Sequence, residues 1–290
     1  MKYSFITQHK NTYPIRLMCQ VLGVSRNGFY HYCKTENQPD PEREELLDLV
    51  VRIADSSGHT YGSRRMARAL RALSRPVSRQ KARGLMREAG VWVRHRKKYK
   101  VTTNSDHKQP VFPNLVQRQF DVDQPDTVYA GDITYVWTQQ GWLYLAVFLD
   151  LYSRRVVGWS MGKRMNAQLV CDALTMAIWN RRPGEGLIVH SDRGSQYASK
   201  GYRRLLKANK FKGSMSRKGD CWDNAVVESF FGSLKQERVQ WRHYQTRQEA
   251  KNDILQYMTI FYNENRLHSY LDYRSPNEFE RQMLQLQKSA

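Results

Sequence analysis

The sequence predicts an α/β protein, a mixed sheet with helices on its faces, preceded by helical segments. Two observations carry that prediction. Apolar residues recur at three- and four-residue spacing up to about residue 90, and from residue 126 the spacing falls to two. Beyond that point strand-like and helix-like runs follow in the order β-β-β-α-β-α-β-α, and the first three strands are joined by connections short enough to make them an antiparallel meander.

Residues 14–34 read as two short helices around a tight turn. Pro14 suits a first helical turn. Ile15, Met18, Cys19 and Leu22 form an apolar stripe, Gly23 stops it, and Ser25 can cap a second helix carrying Phe29, Tyr30 and Tyr32. This is a helix-turn-helix pattern, though simple helical hairpins share it. A second pair follows. Residues 44–55 are helical, and Gly62–Leu73 sets Met66, Ala69, Leu70 and Leu73 on one side with Arg64, Arg65, Arg68 and Arg71 around the rest. Pro76 breaks this run. Ser78 opens another helix that ends at Gly90, and a basic arm from Arg94 to Lys100 comes next. Such a helix and arm suit phosphate tracking, as well as a solvated charged face, which makes Arg64, Arg65, Arg68, Arg94, Arg96, Lys97 and Lys98 candidate DNA contacts.

Residues 101–125 lack periodicity, contain Pro110, Pro113 and Pro125, and read as a linker. Strands are expected at 127–137, 142–150, 155–161, 187–190 and 211–215. Helices are expected at 166–181, 199–209 and from Asp223 to about Val239. In the first strand Val128, Ala130, Asp132, Thr134 and Val136 share a face. The order is that of a ribonuclease H-like mixed sheet. The expected division is 1–40 (helix-turn-helix), 41–100 (second DNA-binding segment with its arm), 101–125 (linker), 126–245 (catalytic core) and 246–290 (helical tail).

Charge points to the partner. The chain carries a net +20, and residues 1–110 hold 22 basic against 9 acidic side chains. Nucleic acid is the commonest reason for such an excess. Cys19, Cys33, Cys171 and Cys221 form no C-x-x-C pair and no zinc spacing with histidine, so free thiols in a reducing cytosol are expected. The polar start from Met1 to Lys10 has no signal-peptide core, and the apolar run Leu143–Leu149 is too short to cross a bilayer. A soluble, cytoplasmic, nucleoid-associated protein with no membrane partner is the expectation.

Three carboxylates are the candidate chemistry. Asp132 lies inside a strand with apolar neighbours, where a carboxylate is costly unless paired or bound to metal. Asp192 follows an apolar strand in HSDRGSQY, at the carboxyl edge where open sheets bind ligands. Glu228 lies in the last helix of the core. Strands one and four can lie side by side with that helix across their ends, so the three acids can converge on two Mg²⁺ ions. Lys235 follows Glu228 by seven residues and returns to within about 20° of it on the helix. Taken alone, Glu228 and Lys235 are what any solvated helix carries. Asp150 is expected to hold the Arg154–Arg155 turn, Asp223 to cap the last helix, and His190 to be structural or DNA-facing. His190, Ser191 and Asp192 cannot form a hydrolytic triad, because neighbours on a strand point to opposite faces.

The segments GDITY (131–135), GWLYLAVFLDLYSRRVVGWSM (141–161), HSDRGSQY (190–197), SMSRKGDCWDNAVVESFFGSLKQE (214–237) and YNENRLHSYLDYRSPNEFE (262–280) together resemble bacterial insertion-sequence transposases of the IS-three family, in particular the downstream-frame product OrfB. YGSRRMARAL (61–70) and GLMREAGVWVRHRKKYK (84–100) look like that family's DNA-binding segment. The resemblance implies a retroviral-integrase-like core with Asp132, Asp192 and Glu228 as its metal-binding acids and Lys235 as the basic residue that follows them. It implies Mg²⁺, replaceable by Mn²⁺, and double-stranded DNA as element ends and target. It further implies a homo-oligomer on DNA, a circular intermediate, and the upstream-frame protein OrfA as a possible fusion partner. Two other classes fit parts of the sequence. A DNA-binding regulator with an inactive core would use the basic first third, and a ribonuclease H-type nuclease or junction resolvase would share the core.

Overall fold

The computed structural model describes residues 1–36, 40–94, 110–217 and 221–289. Three helices open the chain, α1 (Lys2–His9), α2 (Ile15–Val21) and α3 (Arg26–Glu36). They close on Ile6, Met18, Cys19 and Phe29, and the Ser25 hydroxyl accepts from Gly28 N at 2.9 Å as the expected cap. Helix α1 has no apolar stripe. It is held by burial of Ile6 and by Tyr3 packing against Phe29 and Tyr32.

The second helical unit comprises α4 (Pro41–Ser56), α5 (Ser63–Ala72) and α6 (Arg79–Glu88). Asp40 and Ser78 cap α4 and α6 through Arg43 N and Lys81 N. Leu46, Val50, Met66, Leu70, Ala82 and Leu85 fill its core. Leu73, expected on the apolar side, is 52% exposed, because α5 ends one residue earlier and Ser74 turns the chain away at φ 61.

The sheet consists of β1 (Val128–Val136), β2 (Leu143–Asp150), β3 (Val156–Gly162), β4 (Ile188–Ser191) and β5 (Lys212–Met215), in the order β3-β2-β1-β4-β5. β1, β2 and β3 pair antiparallel, while β1, β4 and β5 pair parallel, so strands one and four are neighbours as the element order predicts. Helices α7 (Ala167–Arg181) and α8 (Lys200–Ala208) cover one face through Tyr129, Phe148, Val157, Val170, Leu174 and Leu206. Helices α9 (Ala225–Glu237) and α10 (Arg247–Gln256) cover the other through Ala130, Val147, Leu149, Val227, Phe230 and Ile254. This is the ribonuclease H-like arrangement. α10 runs on into π-helical turns over Tyr257–Asn265, and α11 (Pro276–Ser289) ends the described chain.

Residues 110–125 form no helix or strand, yet they pack along the core. Val116 is buried, Phe112 lies against Gly213, Leu115 N donates to the Ser214 hydroxyl at 2.9 Å, and Asn114 and Arg118 reach Asp223. The helical unit docks on the core through Tyr61, whose hydroxyl donates to Asn265 O at 3.1 Å and accepts from Leu267 N at 3.0 Å. Among the described residues no helix is long and apolar enough to cross a membrane, and Cys19, Cys33 and Cys171 are free thiols.

Candidate active site

The carboxylates are positioned by the parallel pair at the centre of the sheet. Gly131 on β1 is level with Ser191 on β4, so Asp132 and Asp192 stand one residue further along neighbouring strands. Asp132 shares the face of Ala130, the face that α9 covers. Helix α9 is seated by Val227, Phe230 and Leu234, and the Asn224 side-chain amide just before it donates to Gly131 O at 3.4 Å. Glu228 is thereby carried within electrostatic range of Asp132, in the middle of β1. Each aspartate is oriented by its own backbone, since Ile133 N donates to Asp132 Oδ1 at 2.7 Å and Gly194 N to Asp192 Oδ1 at 2.9 Å. A Cβ on Gly194 would lie 3.0 Å from that same Asp192 oxygen and from Gln196 Oε1, so a larger residue there would crowd the carboxylate.

The three acids feel one another. Asp132 keeps some accessible surface but is enclosed by dense protein. This burial, then the charges of Asp192 and Glu228, push its carboxyl well above the ordinary range, against the pull of the Ile133 amide and Lys235. Burial and Asp192 likewise raise Glu228. Burial lowers the Lys235 ammonium while Asp132 opposes the shift, and its Nζ lies 5.2 Å from the centre of the Tyr135 ring. Among the described residues, no three His, Cys, Asp or Glu side chains are gathered closely enough to hold a metal as they stand. The donor set nevertheless fits a hard divalent cation. It is all carboxylate oxygen, and its members repel one another in a way that added positive charge relieves.

The surroundings differ from expectation in several places. Asp223 does not cap α9, whose cap position is Asn224 and which has no side-chain cap bond. The Asp223 carboxylate has no exposed surface and accepts from Asn114, from Arg118 and from both the backbone and guanidinium of Arg217, which hold it far below the usual carboxylate range. The chain enters α9 through a short 3₁₀ turn, Cys221–Asn224, and this geometry turns Asp223 back toward those arginines. His190 is structural. Its ring meets the Ser214 hydroxyl at 2.8 Å and Asp223 O at 2.9 Å, and burial keeps it neutral. Asp150 holds its turn through backbone groups, accepting from Asp126 N at 2.9 Å and Tyr152 N at 3.0 Å rather than from Arg154 or Arg155 side chains. Tyr197 carried no signal in the sequence beyond its place in HSDRGSQY. Its buried hydroxyl has no hydrogen-bond partner among the described residues, and its proton is held by burial and by the charges of Asp132 and Asp192.

The candidate DNA-contacting arginines are split. Arg64 is exposed. Arg65 is turned inward, 3.9 Å from Glu237 and over the Tyr61 ring. Arg68 lies over the Tyr273 ring and 4.0 Å from Asp272. Arg94 donates to Glu237 O at 2.6 Å and stacks on Trp241. Arg96, Lys97 and Lys98 lie outside the described residues.

Known proteins bear on this arrangement. Residues 41–99 match the model of an HTH-like domain, and residues 122–221 and 228–284 match models of the integrase core domain. Transposase InsF of insertion sequence IS3A from Escherichia coli K12 is 40% identical over 287 residues, covering 98% of this chain and all of InsF. An uncharacterized 31 kDa protein of insertion element IS600 from Shigella sonnei is 42% identical over 270 residues, covering 93% of this chain and 99% of that protein. A simian T-cell lymphotropic virus intasome structure, in complex with a PP2A regulatory subunit, aligns at 15% identity over 73% of this chain and 69% of that chain, with a TM-score of 0.47. An integrase core behind an HTH-like domain defines a DDE-type polynucleotidyl transferase that acts on DNA. The chain belongs to the insertion-sequence transposases of the IS3 family, of which InsF is a member.

Proposed function

We propose that this transposase binds the two ends of its element and cuts and joins them through Asp132, Asp192 and Glu228 in a two-metal reaction. The observation that carries the proposal is the placement of Asp132 on β1 beside Asp192, which directly follows β4, with the Glu228 helix across them and the charge of Asp192 raising both Asp132 and Glu228. Mg²⁺, with Mn²⁺ as a substitute, supplies Lewis-acid stabilisation of charge on the attacking and departing oxygens when bound there. The carboxylates hold the cations, and the backbone amides of Ile133 and Gly194 fix the two aspartates from rigid elements. Lys235, on the same helix face as Glu228, neutralises a phosphate of the DNA end. Water attacks first and frees a 3′-hydroxyl, which then attacks a second phosphodiester. No protein nucleophile is needed, because water and then the freed 3′-hydroxyl attack phosphorus directly, each displacing the 3′ oxygen of the strand it cuts. Joining two ends and a target calls for a homo-oligomer, with OrfA as a candidate further partner.

The test is a strand-transfer assay on a labelled element end with Mg²⁺ or Mn²⁺. Wild type is expected to give joined products, whereas Glu228→Gln binds the end without cutting it. Cleavage by Glu228→Gln would sink the assignment. Cut products that are never joined would favour a nuclease or resolvase.

A further inference from the structure

A second cavity, about 370 Å³ in volume, lies on another side of α9. Ser229 and Ser233 face it, about 100° and 140° around the helix from Glu228. Arg65 enters from α5, Arg154 from the turn between β2 and β3, and Arg266 and His268 from the loop after the π-helical turns. Among the described residues no carboxylate lines it. Glu237 gives both oxygens to Arg266 at 2.7 and 2.8 Å and stands 3.9 Å from Arg65, and Asp121 is engaged by the Tyr270 hydroxyl.

Arg154 brings a buried donor to this cavity. It is only 7% exposed, its Nη2 donates to Phe120 O at 3.0 Å, and its guanidinium lies 3.9 Å over the Tyr270 ring and also engages the Tyr270 hydroxyl, yet among the described residues Nη1 has no hydrogen-bond partner. A buried charged donor left unpaired is unfavourable unless a ligand accepts from it. The local field agrees. Burial and the charges of Arg266, Arg65 and Arg154 hold the His268 imidazole well below its ordinary proton affinity. Arg154 and Arg65, with Arg266 already closed on Glu237, and the neighbouring hydroxyls leave an excess of positive charge that suits an anion, and guanidinium forks match the oxygens of phosphate.

We propose that this cavity binds a single phosphate group, supplied by the backbone of bound DNA. Arg65 belongs to the HTH-like domain and Ser229 adjoins Glu228, so a phosphate seated here ties the DNA-binding unit to the helix that carries the third acid. The attribution to DNA rests on the chain's being a transposase, and the site itself does not depend on the carboxylate mechanism.

Two measurements on the full chain test it, with wild type, Arg154→Gln and the exposed-position variant Ser229→Glu. The first is thermal unfolding in sodium phosphate against sodium chloride at equal ionic strength. The second is the salt dependence of affinity for duplex DNA. Phosphate is expected to raise the unfolding midpoint of wild type and of neither variant, and the slope of log affinity against log salt is expected to fall by about one in both variants. A fall in slope without a response to free phosphate upholds a site filled by DNA alone. A phosphate response lost in the variants with unchanged slopes overturns the attribution to DNA and assigns the site to free phosphate. A wild-type phosphate response that persists undiminished in Ser229→Glu with an unchanged slope, or no response and no change in slope, overturns the site. Neither readout needs strand cleavage, so failure of the carboxylate assignment would leave both interpretable.

Discussion

Two aspartates near the ends of the sheet are shifted in opposite directions, and the difference lies in what each accepts from. Asp223 is surrounded by guanidinium and amide donors, so its charged form is favoured in the fold. A carboxyl held low contributes stability that is complete above its ordinary pKa near 4 and is lost as pH falls through the folded value. Asp223→Asn is therefore expected to cost about 2 kcal/mol at neutral pH, a figure kept modest because Arg118 and Arg217 are half-exposed. The loss should shrink in acid below pH 4, as read by urea midpoints across pH. Asp150 has only two backbone amides and Arg181 at 3.6 Å, and burial outweighs them, so its carboxyl is pushed up to about 7. The sign reverses for a raised acid. The fold binds a proton that the unfolded chain releases between about pH 4 and 7, so stability falls as pH rises through that window, by on the order of 3 kcal/mol. Asp150→Asn should remove that slope while leaving one of the two amides unpaired. A slope that survives the substitution would clear Asp150 of responsibility.

The seating of α7 on the sheet depends on a glycine. A Cβ on Gly158 of β3 would lie 2.3 Å from Ala173 O and 2.6 Å from Ala177 N on α7. Both contacts are backbone, so neither can swing aside, and the helix would have to lift from the sheet. Gly158→Ala is expected to destabilise by about 2–3 kcal/mol, with a lower urea midpoint and an unchanged slope. Alanine at no cost would mean that α7 does not sit this close to β3. The same face-by-face logic sets the site. α9 is placed by buried Val227, Phe230 and Leu234, and this seating brings Glu228 and Lys235 within electrostatic range of Asp132.

At the scale of the molecule, the HTH-like unit and the core meet through polar contacts beside an apolar seam that includes Phe261 and Leu267. Tyr61 bridges Asn265 and Leu267, Arg94 reaches Glu237 O, and Arg65 lies 3.9 Å from Glu237. Tyr61→Phe is expected to leave both units folded and cost about 1–2 kcal/mol at their junction, seen as faster amide hydrogen exchange at Leu267, whose N–H loses its acceptor. Unchanged exchange at Leu267 would show that another contact carries the docking.

The element types and their order were legible in the sequence because period and punctuation are local. The period-two runs became β1 to β3 within a residue of expectation, Ser25 and Ser78 cap the helices they precede, and the parallel neighbourhood of β1 and β4 follows from the order of strands. The candidacy of Asp132, Asp192 and Glu228 also came from the sequence, since a carboxylate inside an apolar strand or just past one is costly without a purpose. What the sequence could not contain is direction in space. Arg65 and Arg94 read as outward charges, yet tertiary packing turns them onto Tyr61 and Trp241, whereas Arg68 stays exposed over the Tyr273 ring. Asp223 read as a cap, yet a 3₁₀ turn hands it to arginines more than a hundred residues and six residues away. The arginine-lined cavity draws on α5, the β2–β3 turn, α9 and the tail. Local periodicity fixes which face of an element is apolar, but a site assembled from distant segments exists only once the chain has closed around it.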